Sequence, residues 1–230
     1  MMVTTPEPPR VLLDADTLVR AMTRSLLVMA GTARGSAFRP RWSLRIEAEA
    51  DGHIGPGRVK VRQLRERFDW GERVLIEAPP PEAENDLEGT DPKDRHVLAS
   101  AGLAGIRVVV TANVRHFGPD DLRRTGASAV HPDLFLSRVL TPPLYKDVVT
   151  AWSRSRTGSG TTPNALHSIL GRHHPLTAEA MREAFPGSMP SPPVDGKPHR
   201  EFRGDRCCVC GRSLNEESLA LGVCPACQAV

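Results

Sequence analysis

The chain has 230 residues, enough for one core domain of ordinary size plus a small module, since domains cluster near roughly 100–150 residues. Hydrophobic residues at 40% and charged residues at 25% exclude a disordered chain, and a net charge of +3 removes overall basicity as an argument for nucleic-acid binding, although 30 Lys and Arg leave room for a local patch. No apolar run approaches the roughly 18 residues of a membrane helix, and the opening MMVTTPEPPR lacks the basic-then-apolar order of a signal peptide, so the sequence predicts a cytoplasmic protein with reduced cysteines and no membrane partner.

Between residues 10 and 140, short apolar runs alternate with helical patterns. VLL (11–13) leads into a stretch where Leu18, Met22, Leu26 and Met29 recur near helical spacing; VLIEA (74–78), a helix over 94–104 and IRVVVT (106–111) follow. Continuous Val, Leu and Ile runs joined by helices predict an α/β fold, with a parallel sheet covered on both faces and ligands at the carboxyl ends of its strands. From 142 to 185 the pattern is helical, interrupted by the loop-like SRSRTGSGTTPN, with Thr177 as an N-cap ahead of AEAM. The expected division is a core domain over 10–140, a helical extension over 141–187, a Pro-rich charged linker over 188–205 and a cysteine module over 206–230.

Four positions carry candidate chemistry. Asp14 follows VLL directly and so falls at the carboxyl edge of the first strand. RWSLRIEAEA sets Trp42, Ile46 and Glu49 at i, i+4 and i+7, which predicts one helical face with Glu49 on its inward stripe, an expensive place for an unpaired carboxylate. In DPKDRHVLASA, Asp91 caps a turn, Pro92 suits an early helical position and Asp94 lies in the first turn; Asn113 stands two residues beyond the Thr that ends the strongest strand. Each acid alone reads as structural: a helix cap for Asp14, the helix dipole for Asp94, an ion pair for Glu49. Three acids from separate elements at one sheet edge would repel unless a cation sat among them. Mg²⁺ or Mn²⁺ accepts such oxygen ligands and keeps waters free for chemistry.

At these residues the chain resembles a known family. VLLDADTLV, RWSLRIEAE and above all DPKDRHVLASAGLAGIRVVVTANVRHF followed by HPDLFL are similar to PIN-domain ribonucleases, in particular the VapC-type toxins of bacterial toxin–antitoxin systems. The resemblance covers roughly 10–140, and the helices to about 187 are similar to the extension of one VapC subgroup. It implies a three-layer α/β fold, an acidic pocket for Mg²⁺ or Mn²⁺, hydrolysis of RNA phosphodiester bonds, commonly in structured RNA, and a small antitoxin protein as partner. By position the family's acids fall on Asp14, Glu49 and Asp94; its fourth, often Asp, falls on Asn113, and a later one on His116. Asn113 keeps a neutral carbonyl oxygen but removes charge that would help hold a second cation, so one metal or two stays open. His116 is a softer ligand than a carboxylate.

Around that set, Thr111 is placed to support a ligand carboxylate or a water, and Asp16 either starts the next helix or supports Asp14. Arg41, Arg95 and Arg115 read as RNA-phosphate contacts or as solvated surface charges, and His96 as a helix-surface or core histidine.

The tail, CCVCGRSLNEESLALGVCPAC, holds Cys207-x2-Cys210 and Cys224-x2-Cys227, separated by 13 residues. Paired C-x2-C knuckles each supply two thiolates from one tight turn, so the spacing predicts a zinc-ribbon-like module around a structural Zn²⁺ with no open position for substrate. Gly211 and Gly222 sit where such turns favour glycine, and Cys208 reads as a bystander that could replace Cys207. A module this small should depend on the metal to fold.

The leading expectation is a metal-dependent endoribonuclease, the toxin of a toxin–antitoxin pair. The alternative is a non-catalytic factor built on a degenerate PIN domain, with the zinc module binding nucleic acid or protein; a nuclease for structured DNA shares the same acid chemistry. The sequence separates neither RNA from DNA nor monomer from homodimer.

Overall fold

The computed structural model describes residues 7–68, 73–155, 160–188, 192–194, 199–219 and 222–228. The fold is α/β. Six strands, β1 (Arg10–Leu13), β2 (Arg39–Ser43), β3 (Leu75–Ile76), β4 (Val108–Val110), β5 (Ser128–Val130) and β6 (Phe202–Arg203), form one sheet in the order β3-β2-β1-β4-β5-β6. The first five are parallel to one another and β6 pairs antiparallel with β5. Val11–Leu13 and the whole of β4 and β5 are buried, as expected of strands covered on both faces. Burying side chains of this size contributes roughly 1.5–3 kcal/mol each, which is what allows such strands to end in buried polar groups.

The chain moves outward from β1 through β2 to β3, then returns to place β4 on the other side of β1 and continues to β5. The switch point therefore lies between β1 and β4. At such a point the connections diverge and leave a crevice at the carboxyl ends of the strands. Register brings Leu13 opposite Val110, so Asp14 and Thr111 leave the sheet side by side, and the Asp14 N–H donates to the Val110 carbonyl at 3.1 Å.

Helices α1 (Ala15–Val19) and α2 (Ala21–Thr32) follow β1; α3 (Leu44–His53) and α4 (Val61–Arg67) follow β2; α5 (Arg95–Leu103), α6 (Pro119–Thr125) and α7 (Pro132–Val139) alternate with the later strands. The stretch expected to run helically through Leu18 and Met29 is broken at Arg20, whose ψ of 100° is extended. Trp42 lies on β2, so it does not share a helical face with Ile46 and Glu49; α3 begins at Leu44, capped by the Ser43 hydroxyl. The buried Trp42 indole instead donates to Glu47 at 3.0 Å, and Arg65 closes the other side of that carboxylate at 2.8 and 2.9 Å.

In the extension, α8 (Pro142–Ser155) buries Tyr145, Val148, Val149 and Trp152, one helical face, and is followed by α9 (Pro163–His173) and α10 (Pro175–Ala180). Residues 156–159 of the expected loop lie outside the described residues. Thr177 is not a cap, because α10 starts two residues earlier; its N–H and hydroxyl both reach the buried Asp133 carboxylate at 2.9 Å. That carboxylate ties α10 to α7.

Of the stretch expected as a linker, 189–191 and 195–198 lie outside the described residues. Its end supplies β6: Ala129 is opposite Arg203, the His131 N–H donates to the Glu201 carbonyl at 2.9 Å, and Arg203 donates to the Phe117 carbonyl at 3.0 Å. Two short helices, α11 (Glu216–Leu219) and α12 (Pro225–Gln228), complete the tail. Among the described residues no helix is long and apolar enough to cross a membrane.

Candidate active site

The crevice at the β1/β4 switch point collects acids from four elements. Asp14 caps α1, its Oδ1 accepting the Ala15 N–H at 2.6 Å, while its Oδ2 accepts the Thr111 hydroxyl at 2.8 Å. It is thus both the helix cap and the corner of the site. Asp16 turns back to the same strand end and accepts the Ala112 N–H at 3.0 Å. Asp94 stands just ahead of α5, and its Oδ2 meets Nδ1 of His116 at 2.8 Å. Glu49, on α3, meets Nε2 of the buried His96 at 3.0 Å. An ionised carboxylate only accepts, so in both pairs the imidazole donates.

Burial pushes the Asp14 carboxyl well above the ordinary carboxylate range, reinforced by the charges of Asp16 and Asp94 and opposed by Thr111 and the Ala15 N–H. Burial also raises Asp16, against its bonds to Thr17 and Ala112, with Asp94 adding to the rise. Asp94 is raised by burial as well, and by Asp91 and Glu49, against the pull of His116. Glu49 goes the other way, because His96 stabilises its charge. Three aspartates held at the expense of their own ionisation form a donor set that a divalent cation suits, since added positive charge relieves both burial and repulsion.

A cleft of about 300 Å³ opens here, with Asp16, Glu49, Asn113 and Arg20 in its wall. Asp16, expected to start the next helix or to support Asp14, stands in the first turn of α1 and also lines this cleft; the i, i+2 spacing in DAD is the signal that both carboxylates attend one edge. Among the described residues, Asp91, Asp94 and His116 place ligand atoms within 4.8 Å of one another, a grouping that includes neither Asp14 nor Glu49. Asp91 does cap its turn as expected, its Oδ1 accepting the Lys93 N–H at 3.0 Å. Asn113 has its N–H on the Thr111 hydroxyl at 3.0 Å and forms part of the cleft wall. Arg95 turns to the Thr90 carbonyl at 3.2 Å, and Arg41 lines a separate depression with Arg39 and Arg73.

The second candidate metal centre is local. The Sγ atoms of Cys207, Cys210, Cys224 and Cys227 lie within 4.8 Å of one another, and all five cysteines are free thiols. Tetrahedral Zn²⁺ with bonds of about 2.3 Å separates its sulfurs by about 3.8 Å. Cys210 and Cys224 are 3.6 Å apart, so the cluster fits such an ion. Gly211 and Gly222 turn the chain with φ of 71° and 64°, a region costly for other residues. Cys208 lies outside the cluster, its thiol pushed up to about 12 by burial and the neighbouring Cys207.

A third group within the same limit joins His131, just beyond β5, to His199 and Glu201 ahead of β6; the two imidazole rings stack 4.3 Å apart.

Over 102 residues the chain is 36% identical to the Mycobacterium tuberculosis protein named "Putative ribonuclease VapC50", a match spanning 43% of this chain and 59% of that protein. The chain thus spans somewhat over half the length of the curated relative it matches. No protein-family model and no solved structure matches the chain. The similarity to a protein of that name agrees with the VapC-type resemblance at family level.

Proposed function

We propose that the chain is a metal-dependent endoribonuclease of the VapC type, hydrolysing RNA phosphodiester bonds as the toxin partner of a small antitoxin. The observation that carries the reading is the convergence of Asp14, Asp16, Glu49 and Asp94 at the switch-point crevice, three of them held above the usual carboxylate range by burial and by one another. In this reading residues 10–140 carry the chemistry, 141–187 extend the domain, and 206–230 are a module folded on structural Zn²⁺.

Asp14, Glu49 and Asp94, with the amide oxygen of Asn113, would hold Mg²⁺ or Mn²⁺. When bound, the ion supplies a more acidic water and positive charge opposite the phosphate oxygens. The chain's own residues orient the set: Thr111 fixes Asp14, His116 fixes Asp94 and His96 fixes Glu49. Because both histidines donate to carboxylates, they keep the free carboxylate oxygens turned toward the crevice rather than compete for the metal.

The test is cleavage of RNA with added Mg²⁺ or Mn²⁺ by the wild type, Asp14→Asn and Asp94→Asn, followed by sequencing of RNA ends after induction of the same proteins in cells. The wild type should generate new ends that neither variant produces. Equal cleavage by all three would remove the assignment.

A further inference from the structure

A second cleft, of about 420 Å³, adjoins the acids on the same carboxyl edge. Arg20 lines both clefts, and Ala112 lines this one where its neighbour Asn113 lines the other. Its wall carries Arg20, Arg58, Arg172, His131, His174 and His199, and no acidic side chain is among its lining residues.

Two further observations point to an anion. The break at Arg20 starts the 12-residue α2 afresh with no side-chain cap, and Ala21, Met22 and Thr23 of its first turn form part of the wall. A helix N-terminus of this kind directs its first N–H groups and the positive end of its dipole at whatever occupies the cleft. His174 is only 2% exposed; its Nε2 meets the Thr23 hydroxyl at 3.0 Å, and its Nδ1 has no partner. In the tautomer in which the Thr23 hydroxyl donates to Nε2, the unpartnered Nδ1 carries a hydrogen and can donate to an acceptor in the cleft. Burial and the neighbouring charges of His173, Arg20 and His199 hold this imidazole neutral, down to about 3, so it serves as a dipolar donor beside the arginine charges.

We infer that this basic cleft is a phosphate-binding subsite that holds a backbone phosphate of an RNA strand whose scissile bond lies over the acids, an assignment that rests on the nuclease reading above. Arginine charge, helix N–H groups and a neutral N–H donor together match phosphate oxygens, which accept and never donate. Continuity with the acidic cleft at Arg20 and residues 112–113 lets one strand engage both. Its wall is completed by the extension, through Arg172 and His174, and by the stretch that follows it, through His199. The extension and the stretch that follows it thereby add substrate-binding groups to those of the core domain.

The test compares the full-length wild type with Arg58→Glu/Arg172→Glu, both exposed side chains, and with a control charge reversal outside the cleft, Arg34→Glu/Arg154→Glu. Binding of a 5′-labelled mixed-sequence single-stranded RNA is followed by fluorescence anisotropy over a range of KCl, without added Mg²⁺ or Mn²⁺; a thermal melt confirms that each variant is folded. The cleft variant should bind about tenfold more weakly than the control. Its salt slope should fall by about 0.7 for each phosphate that is no longer neutralised. In a parallel cleavage assay with Mn²⁺, its KM should rise while kcat stays near the wild-type value. Equal affinity and slope in the cleft and control variants would overturn the subsite. The nuclease reading is judged apart, by Asp14→Asn: if the wild type cleaves no more than that variant, the reading fails, while the anisotropy result still decides the subsite.

Discussion

The two candidate metal centres are built in opposite ways. The thiol cluster draws four ligands from 21 consecutive residues, whereas the acid set is spread from Asp14 to Asn113, beyond the ends of β1 and β4, on α3 and just ahead of α5. The first is assembled by two tight turns and buries only a few side chains, among them Cys207, Cys208 and Val223, against the main core, so its order is expected to depend on a bound metal; the second is assembled by a buried parallel sheet that stands without one. Local sites should therefore fail by unfolding, and sheet-edge sites by losing chemistry while the fold survives.

The largest expected effect breaks the local centre. Structural zinc sites of this kind contribute roughly 10–16 kcal/mol, so chelation or Cys224→Ser should abolish ordered structure in the tail while leaving the sheet intact. Zinc content and hydrogen exchange over 206–228 check this, and a protected tail in the metal-free variant would mean that its packing on β5 suffices. At the sheet edge, Asp94→Asn should lower RNA cleavage by more than about 100-fold with no loss of fold. Removing a group that only orients a ligand should cost less, roughly 10–100-fold for His116→Ala or His96→Ala. Steady-state kinetics with metal titration would rank them; a histidine variant as severe as Asp94→Asn would promote that histidine to a ligand.

Acid stability offers a finer probe. The His174 pKa falls from 6.5 unfolded to about 3 in the fold, so above pH 6.5 its contribution is complete. Between 6.5 and 3 the unfolded chain binds a proton that the folded chain refuses, and stability should decline by up to about 1.4 kcal/mol per pH unit. Denaturant melts of the wild type and His174→Gln across that window should diverge in slope; parallel curves would place the acid sensitivity elsewhere. The smallest effect runs against intuition. Because burial and its acidic neighbours raise Asp14, its charge destabilises the metal-free fold, and Asp14→Asn should raise Tm while losing activity. A lower Tm in calorimetry would show that the bond from Thr111 outweighs the repulsion.

The same contrast governs what is legible in the sequence. The cysteine spacing and its two turn glycines can be read because they are short-range, and Asp14 can be read because VLL could only end at a sheet edge. Glu49 is reached through a face it does not share with Trp42: a strand ends and a helix begins between them, at Ser43, and nothing in RWSLRIEAEA marks that change of period. The supporting roles of His96 and His116 span 47 and 22 residues and have no local signature. Thr177 resembles a cap because its hydroxyl suits one, yet Asp133, 44 residues earlier, takes that hydroxyl.

By itself the sequence determined what nearest neighbours decide: which runs are apolar enough to be buried strands, where carboxylates follow them, and how four thiols are spaced. Only the tertiary structure decided that Arg20 divides two helices and leaves the second uncapped, that Phe202–Arg203 closes the sheet, and that Arg172, His174 and His199 line a cleft that shares Arg20 with the acidic one. These depend on which edges and faces remain unsatisfied once the core has packed, a property of the whole chain that no short window of residues contains.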